Sequence, residues 1–192
     1  MAQIRIPSDT VSSAGRAAHD AGLGALLGGN LYGRVAMHPA LAGVGDKSER
    51  GKVVNQAWRR FGWIHSASLL AVVAGWAGAR VNEAHPRDLS PRERALAKGK
   101  DAAVVAVAVT GLATAVAGLR FGRSAPDGAV PLEDGNAPAD ETSNKAARLK
   151  RRLNTLSTAS AAAELALVGV NAALGQANFR RPPARRLLRR RY

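Results

Sequence analysis

Seven polar side chains stand inside otherwise apolar stretches of this 192-residue chain: His19, Asp20, Asn30, Arg34, His65, Glu164 and Asn171. A charged side chain at the centre of a membrane helix costs at least about 2.5–3.5 kcal/mol on insertion scales, so such a residue must face a partner or a cavity. Histidine also changes its charge close to neutral pH. These residues are therefore candidates for binding a proton, an anion or a small polar ligand.

Helical spacing predicts that several of these side chains meet. At about 100° per residue, His19, Asn30 and Arg34 fall on one face of a first helix, while Glu164 and Asn171 fall on one stripe of a last helix. Counted from the predicted helix ends, Arg34, His65 and Glu164 lie roughly 6–12 Å below the same membrane face. We therefore predict an Arg34–Glu164 ion pair with His65 beside it, and with Asn30 and Asn171 one or two turns deeper.

The alternative interpretation of these polar residues is purely structural. Buried hydrogen bonds between transmembrane helices can hold the helices in register without binding a ligand. The sequence leaves both interpretations open.

Four apolar windows position these residues, at about 17–38, 61–79, 102–119 and 156–175. Roughly 20 predominantly apolar residues are needed for a helix to cross a bilayer. The fold class predicted is therefore all-α, a four-helix transmembrane bundle with short wet helix extensions. A soluble helical bundle is the alternative, but an amphipathic soluble helix shows a charged face. The window 102–119 offers only Thr110 and Thr114 as polar side chains.

Start signals and charged flanks divide the chain further. Asp46 and Glu49 have capping-box spacing before the second helix, and Ser90 with Glu93 has it before the third, where Pro91 takes the first helical position. Residues 52–60 and 92–100 are charged and should extend the helices into water.

Three other parts of the chain are polar. The segment 124–142 holds three Pro, two Gly and five acidic residues, which is typical of a mobile loop that does not bury itself. We expect a polar N-terminal arm at 1–16, a membrane domain at 17–178 and an Arg-rich tail at 179–192.

The balance of charge indicates the membrane orientation. Lys and Arg number 28 against 14 Asp and Glu, and the chain has no Cys, which excludes a disulfide framework. With four spans, 15 basic residues share the side of the termini and 12 share the other. This small bias, with an uncompensated tail, favours cytoplasmic termini in the cytoplasmic membrane. The tail arginines should contact anionic lipid headgroups rather than nucleic acid: Arg180, Arg181, Arg185, Arg186, Arg189, Arg190 and Arg191.

No cofactor or metal is expected from the sequence. No zinc-ligand spacing, nucleophile elbow or phosphate-binding glycine loop occurs, and His19 and His65 should lie near opposite membrane faces, too far apart for one haem iron. Ala40-Leu41-Ala42 fits a signal-peptide cleavage pattern, but Arg34 and His38 interrupt the approach to it. We expect the first helix to remain uncleaved.

Four segments carry a resemblance to a known group of proteins. They are GLGALLGGNLYGRVAMHPAL (22–41), ERGKVVNQAWRRFG (49–62), GAVPLEDGN (128–136) and AAELALVGVNAALGQ (162–176). In these the chain resembles small four-helix integral membrane proteins of actinobacteria, a group with no established activity. The resemblance implies an integral membrane protein and assigns no role to any residue.

Three functions follow as hypotheses, none of them enzymatic. The first is an accessory subunit, or a binder of a small molecule or lipid, which acts as a homo-oligomer or with a partner membrane protein. The second is a carrier of protons or a small solute through Arg34, His65 and Glu164. The third is a soluble basic helical protein that binds anionic polymers.

Overall fold

The computed structural model describes residues 8–81, 84 and 89–179. Within them, four long helices follow one another: α1 (Ser8–Tyr32), α2 (Lys47–Val81), α3 (Pro91–Gly122) and α4 (Asn144–Phe179). The all-helical prediction is confirmed, and in the described ranges the β-type pairing is a single isolated bridge between Leu132 and Pro138. Helices α2, α3 and α4 are long and apolar enough to cross a bilayer, whereas α1 does not meet that composition.

Helix α1 differs from its prediction at both ends. It already includes Ser8, inside the predicted polar arm, and it packs closely on α2 at Gly15, where a Cβ on Gly75 would lie 2.5 Å from the Gly15 carbonyl. After Tyr32 the helix widens into a π-helical turn, Gly33–Met37, followed by short helical turns at His38–Ala40 and Leu41–Gly43. Such π turns are rare and often occur at functional sites. Arg34 lies in this turn.

Local capping determines where the next helices begin. The predicted capping box before α3 is confirmed, since the Ser90 hydroxyl accepts from the Glu93 amide and the Glu93 carboxylate accepts from the Ser90 amide. Before α2 the box is half formed. Asp46 accepts from the Glu49 amide at 2.8 Å, while the Glu49 carboxylate pairs with Lys52 instead. The predicted charged extensions, 52–60 and 92–100, are helical.

Two antiparallel helix pairs build the molecule. α1 packs along α2 and α3 packs along α4, and the pairs join through contacts of α2 with α3 and of α1 with α4. Glycines permit the close approach of α1: Gly29 and Gly33 face the rings of Phe61 and Trp58. Gly24 and Gly28, on other faces of α1, face open space.

The long connection 123–143 folds over one end of the helices, and we name it the loop cap. We predicted a segment that does not bury itself. Instead Val130 and Leu132 are 2% and 0% exposed and join the apolar cluster of Val54 and Phe121. Averaged composition concealed this, because two apolar side chains anchor a segment whose acidic neighbours stay in water.

Candidate functional site

A polar seam joins α1 to α4, and we define it as Asn30, Arg34, Ser157, Thr158, Ser160 and Glu164. At its centre, Asn30 Nδ2 donates to the Ser157 carbonyl at 3.2 Å and the Ser157 hydroxyl donates back to Asn30 Oδ1 at 3.0 Å. Glu164 is 1% exposed. It accepts from the Ser160 hydroxyl at 2.9 Å and lies 3.5 Å from Asn30 Nδ2. The seam thus satisfies a buried carboxyl group with neutral donors.

The predicted Arg34–Glu164 ion pair is wrong. The Arg34 guanidinium donates to the Thr158 hydroxyl at 2.8 Å and to the Ser157 hydroxyl at 3.3 Å. Thr158 precedes Glu164 by six residues, which is about 9 Å along the helix. Arg34 therefore lies too close to the helix end for an ion pair, and Asn30 takes the position opposite Glu164.

His65 does not join this seam either. It lies on α2, and its Nε2 faces the Gly111 carbonyl of α3 at 3.4 Å. The seam lies at the contact of α1 with α4, whereas His65 lies at the contact of α2 with α3. The predicted cluster of Arg34, His65 and Glu164 is thus divided between two contacts.

Asn171 and His19 are brought together at the opposite end of the helices, around a cavity of about 240 Å³. We call it the terminal cavity, because it opens between the start of α1 and the end of α4. Its polar lining comprises Arg16, His19, Asp20, Trp76, Lys100 and Asn171.

Lys100 is the buried cation of the terminal cavity. It is 5% exposed, its Nζ donates to Asn171 Oδ1, and it lies 4.3 Å from the centroid of the Trp76 ring. Within the part of the chain that the structure describes, no carboxylate lies within ion-pair distance of it. Burying a charge without a paired partner is costly.

Two carboxylates in this region, Asp101 beside Lys100 in the sequence and Asp20 in the cavity lining, are engaged by other groups. Asp101 accepts from Arg80 through two bonds of 3.0 Å and from the Trp76 indole at 2.8 Å. Asp20 accepts from Asn171 Nδ2 at 3.1 Å and pairs with His19 Nδ1 at 2.9 Å. Neither acid therefore neutralises Lys100 directly.

His19 presents one unsatisfied nitrogen. The residue is 2% exposed, and the carboxylate of Asp20 accepts a hydrogen bond, which places the ring proton on Nδ1. The other nitrogen, Nε2, is buried without a hydrogen-bond partner. It is therefore an unsatisfied acceptor on a side chain that lines the cavity.

A second polar group lies at the loop cap, where the first apolar window ends. His38 Nε2 accepts from the Trp58 indole at 2.9 Å, and its Nδ1 bonds to Asn136 Oδ1 at 2.8 Å. Burial lowers the pKa of His38 from 6.5 to about 4, and the positive charges of Lys150 and Arg34 act in the same direction. A neutral His38 thus bonds the loop cap to α2.

Arg50 of α2 joins the loop cap to the connection that precedes α2. Its guanidinium donates to the Val44 carbonyl at 2.6 Å, the Glu133 carbonyl at 2.5 Å and the Ala42 carbonyl at 3.2 Å. Lys47 adds ion pairs to Glu133 at 2.6 Å and Glu141 at 3.2 Å, and these hydrogen bonds raise the pKa of Lys47.

Sequence reasoning missed Lys100, Trp76, His38 and Arg50. A signal for Lys100 is present, since Lys100 and Asp101 are the last charges before an eighteen-residue uncharged window. Their opposite roles, one paired and one not, depend on Arg80 and could not be read from that position. The predicted headgroup-binding arginines, 180–191, lie outside the described residues.

No group of three or more His, Asp or Glu side chains in the described ranges is arranged to hold a metal ion. Comparison with protein-family models, curated proteins and solved structures gives no match. The resemblance to small actinobacterial membrane proteins therefore remains an expectation, and only this chain's own residues indicate its function.

Proposed function

We propose that this chain is an integral protein of the cytoplasmic membrane that crosses the bilayer four times. In this proposal it binds a small molecule or a lipid in the terminal cavity, alone or as an accessory subunit, and does not catalyse a reaction. The observation that carries the proposal is the distribution of side chains, in which apolar groups face outward and polar groups are buried.

Apolar side chains point outward from the middle of the helices. On α3, Val105, Val109 and Leu112 are 60%, 62% and 64% exposed, and on α2 Leu70 is 69% exposed. Monomeric soluble proteins rarely expose a contiguous apolar surface of this kind. Lipid is the solvent in which these faces are favourable.

Polar side chains, by contrast, lie inside. Glu164, Ser160 and His19 are at most 2% exposed, although they belong to the otherwise apolar windows. A bilayer favours this arrangement, because a polar group at membrane depth must face the bundle interior or a cavity. It also gives α1 a place in the membrane, since its polar residues Asn30 and Arg34 reach α4.

An even number of antiparallel helices supports the topology. The described chain begins and ends at the end that carries the terminal cavity, and the Arg-rich tail continues from there. The positive-inside bias then favours placing this end in the cytoplasm.

The first experiment is an alkaline carbonate wash of membranes from expressing cells. We expect the protein to stay in the pellet until detergent is added, and release by the wash would contradict the proposal. Leu112→Lys should reduce membrane insertion, because a lysine at mid-helix costs about 2.5–3.5 kcal/mol. The matched control is Val53→Lys, which places the same charge at an exposed position of the charged extension of α2.

The carrier hypothesis has less support. It requires Arg34, His65 and Glu164 in one proton relay. Arg34 and Glu164 lie at the contact of α1 with α4, whereas His65 lies at the contact of α2 with α3. The binding hypothesis instead uses a cavity with a buried cation.

A further inference from the structure

We propose that the terminal cavity binds a phosphate ester that also carries a hydroxyl group, with Lys100 at the phosphate and His19 Nε2 at the hydroxyl. Two sources share this chemistry: the headgroup of a phosphatidylglycerol-type lipid and free glycerol phosphate. The inference deepens the proposed binding function and rests on it.

Lys100 determines the sign of the ligand. An ammonium group has three N–H donors. One of them binds Asn171 Oδ1, and the Trp76 ring 4.3 Å away covers another direction. Asp101 is held by Arg80, so a donor and the positive charge remain for an anion in the cavity. Phosphate oxygens form strong charge-assisted hydrogen bonds with such a donor.

His19 determines the second group. Because Nδ1 carries the proton shared with Asp20, Nε2 is an acceptor and requires a donor from the ligand. A hydroxyl group supplies one, whereas an orthophosphate dianion offers only a weak donor. A buried acceptor without a donor costs about 1–3 kcal/mol, which the hydroxyl would recover.

The size and access of the cavity suit a headgroup. Its volume of about 240 Å³ has room for several water molecules. Arg16 and Asp20 are exposed at its mouth, and Lys100 and His19 are buried deeper. The side chain of Asp20 is 60% exposed, so water screens its charge from an entering anion.

The test uses the full chain purified in an uncharged detergent. Four probes are titrated while thermal unfolding and binding heat are measured: a short-chain phosphatidylglycerol, glycerol phosphate, inorganic phosphate and glycerol. We expect one or both glycerol-phosphate probes to bind at least about tenfold more tightly than inorganic phosphate or glycerol. Binding of the lipid alone identifies a headgroup site, and equal binding of glycerol phosphate identifies a site for the free ester. Equal binding of all the phosphates, or of none, would overturn the proposal.

Two variants separate the roles of the residues. Lys100→Met should weaken glycerol-phosphate binding by about tenfold or more, through loss of the charge-assisted bond, while Lys98→Met, at an exposed position of the same helix, should bind like the unmodified chain. His19→Phe removes the acceptor, so it should weaken glycerol-phosphate binding and leave inorganic phosphate unchanged. If Lys100→Met does not fold, His19→Phe still decides the matter, since an unaltered preference for the ester would refute the assignment.

The membrane proposal and this inference fail separately. A chain that resists carbonate but binds no phosphate ester keeps the first and loses the second. A chain that carbonate releases, yet that binds glycerol phosphate through Lys100, loses the membrane proposal while the ligand assignment stands.

Discussion

Three charged side chains, Arg34, Lys150 and Glu164, are met by uncharged hydrogen-bond partners. Arg34 donates to hydroxyl groups, Lys150 donates to the Gly135 carbonyl, and Glu164 accepts from Ser160. Removing one partner of a buried ion pair is costly, because the other charge is left uncompensated. Because the partners of these three residues are uncharged, we expect the stability of the folded protein to depend on the hydrogen bonds and not on the charges.

Glu164→Gln should therefore change the free energy of unfolding by less than about 1 kcal/mol, because the glutamine oxygen still accepts from Ser160 and only the long 3.5 Å contact with Asn30 loses its acceptor. Glu164→Ala should cost about 1–3 kcal/mol, since Ser160 and Asn30 then lose an acceptor in a buried place. Thermal unfolding in detergent measures both. Equal losses in the two variants would mean that the negative charge itself has a partner.

His38 predicts an acid-sensitive stability. Its pKa in the folded protein is about 4, below the ordinary value of 6.5, so its contribution is complete above pH 6.5 and is lost as the pH falls towards 4. The loss amounts to about 3 kcal/mol over that interval. Protonation also removes the acceptor that Nε2 offers to Trp58.

Unfolding followed between pH 7 and pH 4, with tryptophan fluorescence as a local probe, measures this effect. The matched variant is His38→Gln, whose side chain can accept and donate hydrogen bonds but does not titrate in this range. We expect a smaller dependence on pH in the variant. The same slope in both proteins would assign the effect to carboxylates elsewhere.

The candidate site shows which parts of it the sequence could predict. The stripes on the first and last helices were predicted, and Asn30, Arg34 and Glu164 do lie in one seam. The partner of each residue was not predicted: Arg34, in the π-helical turn after α1, bonds to Thr158 and not to Glu164, and Asn171 bonds to Lys100 at the terminal cavity. The register between helices is set by the packing of one helix against another, so the sequence pattern of a single helix does not predict it.

At the scale of elements, the loop cap is fixed by a close contact between its backbone and a glycine of α2, Gly51. A Cβ on Gly51 of α2 would overlap the carbonyl of Val130, so a glycine is needed where the loop crosses this helix. The Leu132 amide donates to the Lys47 carbonyl at 3.0 Å beside this crossing. The loop and α2 are thus in direct backbone contact.

Gly51→Ala should lower the free energy of unfolding by about 1–3 kcal/mol, the usual cost of overpacking. The control is Gly62→Ala in the same helix, where a Cβ meets open space and helix propensity favours alanine by up to about 1 kcal/mol. Thermal unfolding compares the two, and trypsin cleavage near Arg123 and Lys145 reports on the loop. Equal behaviour of the two variants would contradict the contact.

The helices themselves were largely predictable, and their connection was not. Apolar windows and the capping residues Ser90 and Glu93 are local signals, so the predicted helices and one cap appear as expected. The burial of Val130 and Leu132 depends on Val54, more than 70 residues earlier in the chain. Local composition carries no information about such a contact.

At the scale of the whole molecule, the two ends of the bundle differ. One end carries the loop cap, which covers the helices with a buried apolar cluster. The other end carries the terminal cavity and leads into an arginine-rich tail. A phosphate ester would therefore enter from the side of the termini, which the proposed topology assigns to the cytoplasm.

The absence of cysteine from the natural sequence makes this orientation directly measurable. Three single substitutions probe the two ends and the middle: Ser13→Cys at the start of α1, Ser124→Cys in the loop cap and Leu112→Cys on the outward face of α3, all exposed. In spheroplasts, a membrane-impermeant maleimide should label Ser124→Cys, and it should label Ser13→Cys only after the membrane is opened. Leu112→Cys should resist it in both conditions, because lipid covers that face and holds the thiol away from water. Labelling of Ser13→Cys alone in intact spheroplasts would reverse the orientation. Labelling of Leu112→Cys would refute the membrane placement, because Leu112 is 64% exposed in the folded chain and a thiol at this position should escape the reagent only where lipid excludes water.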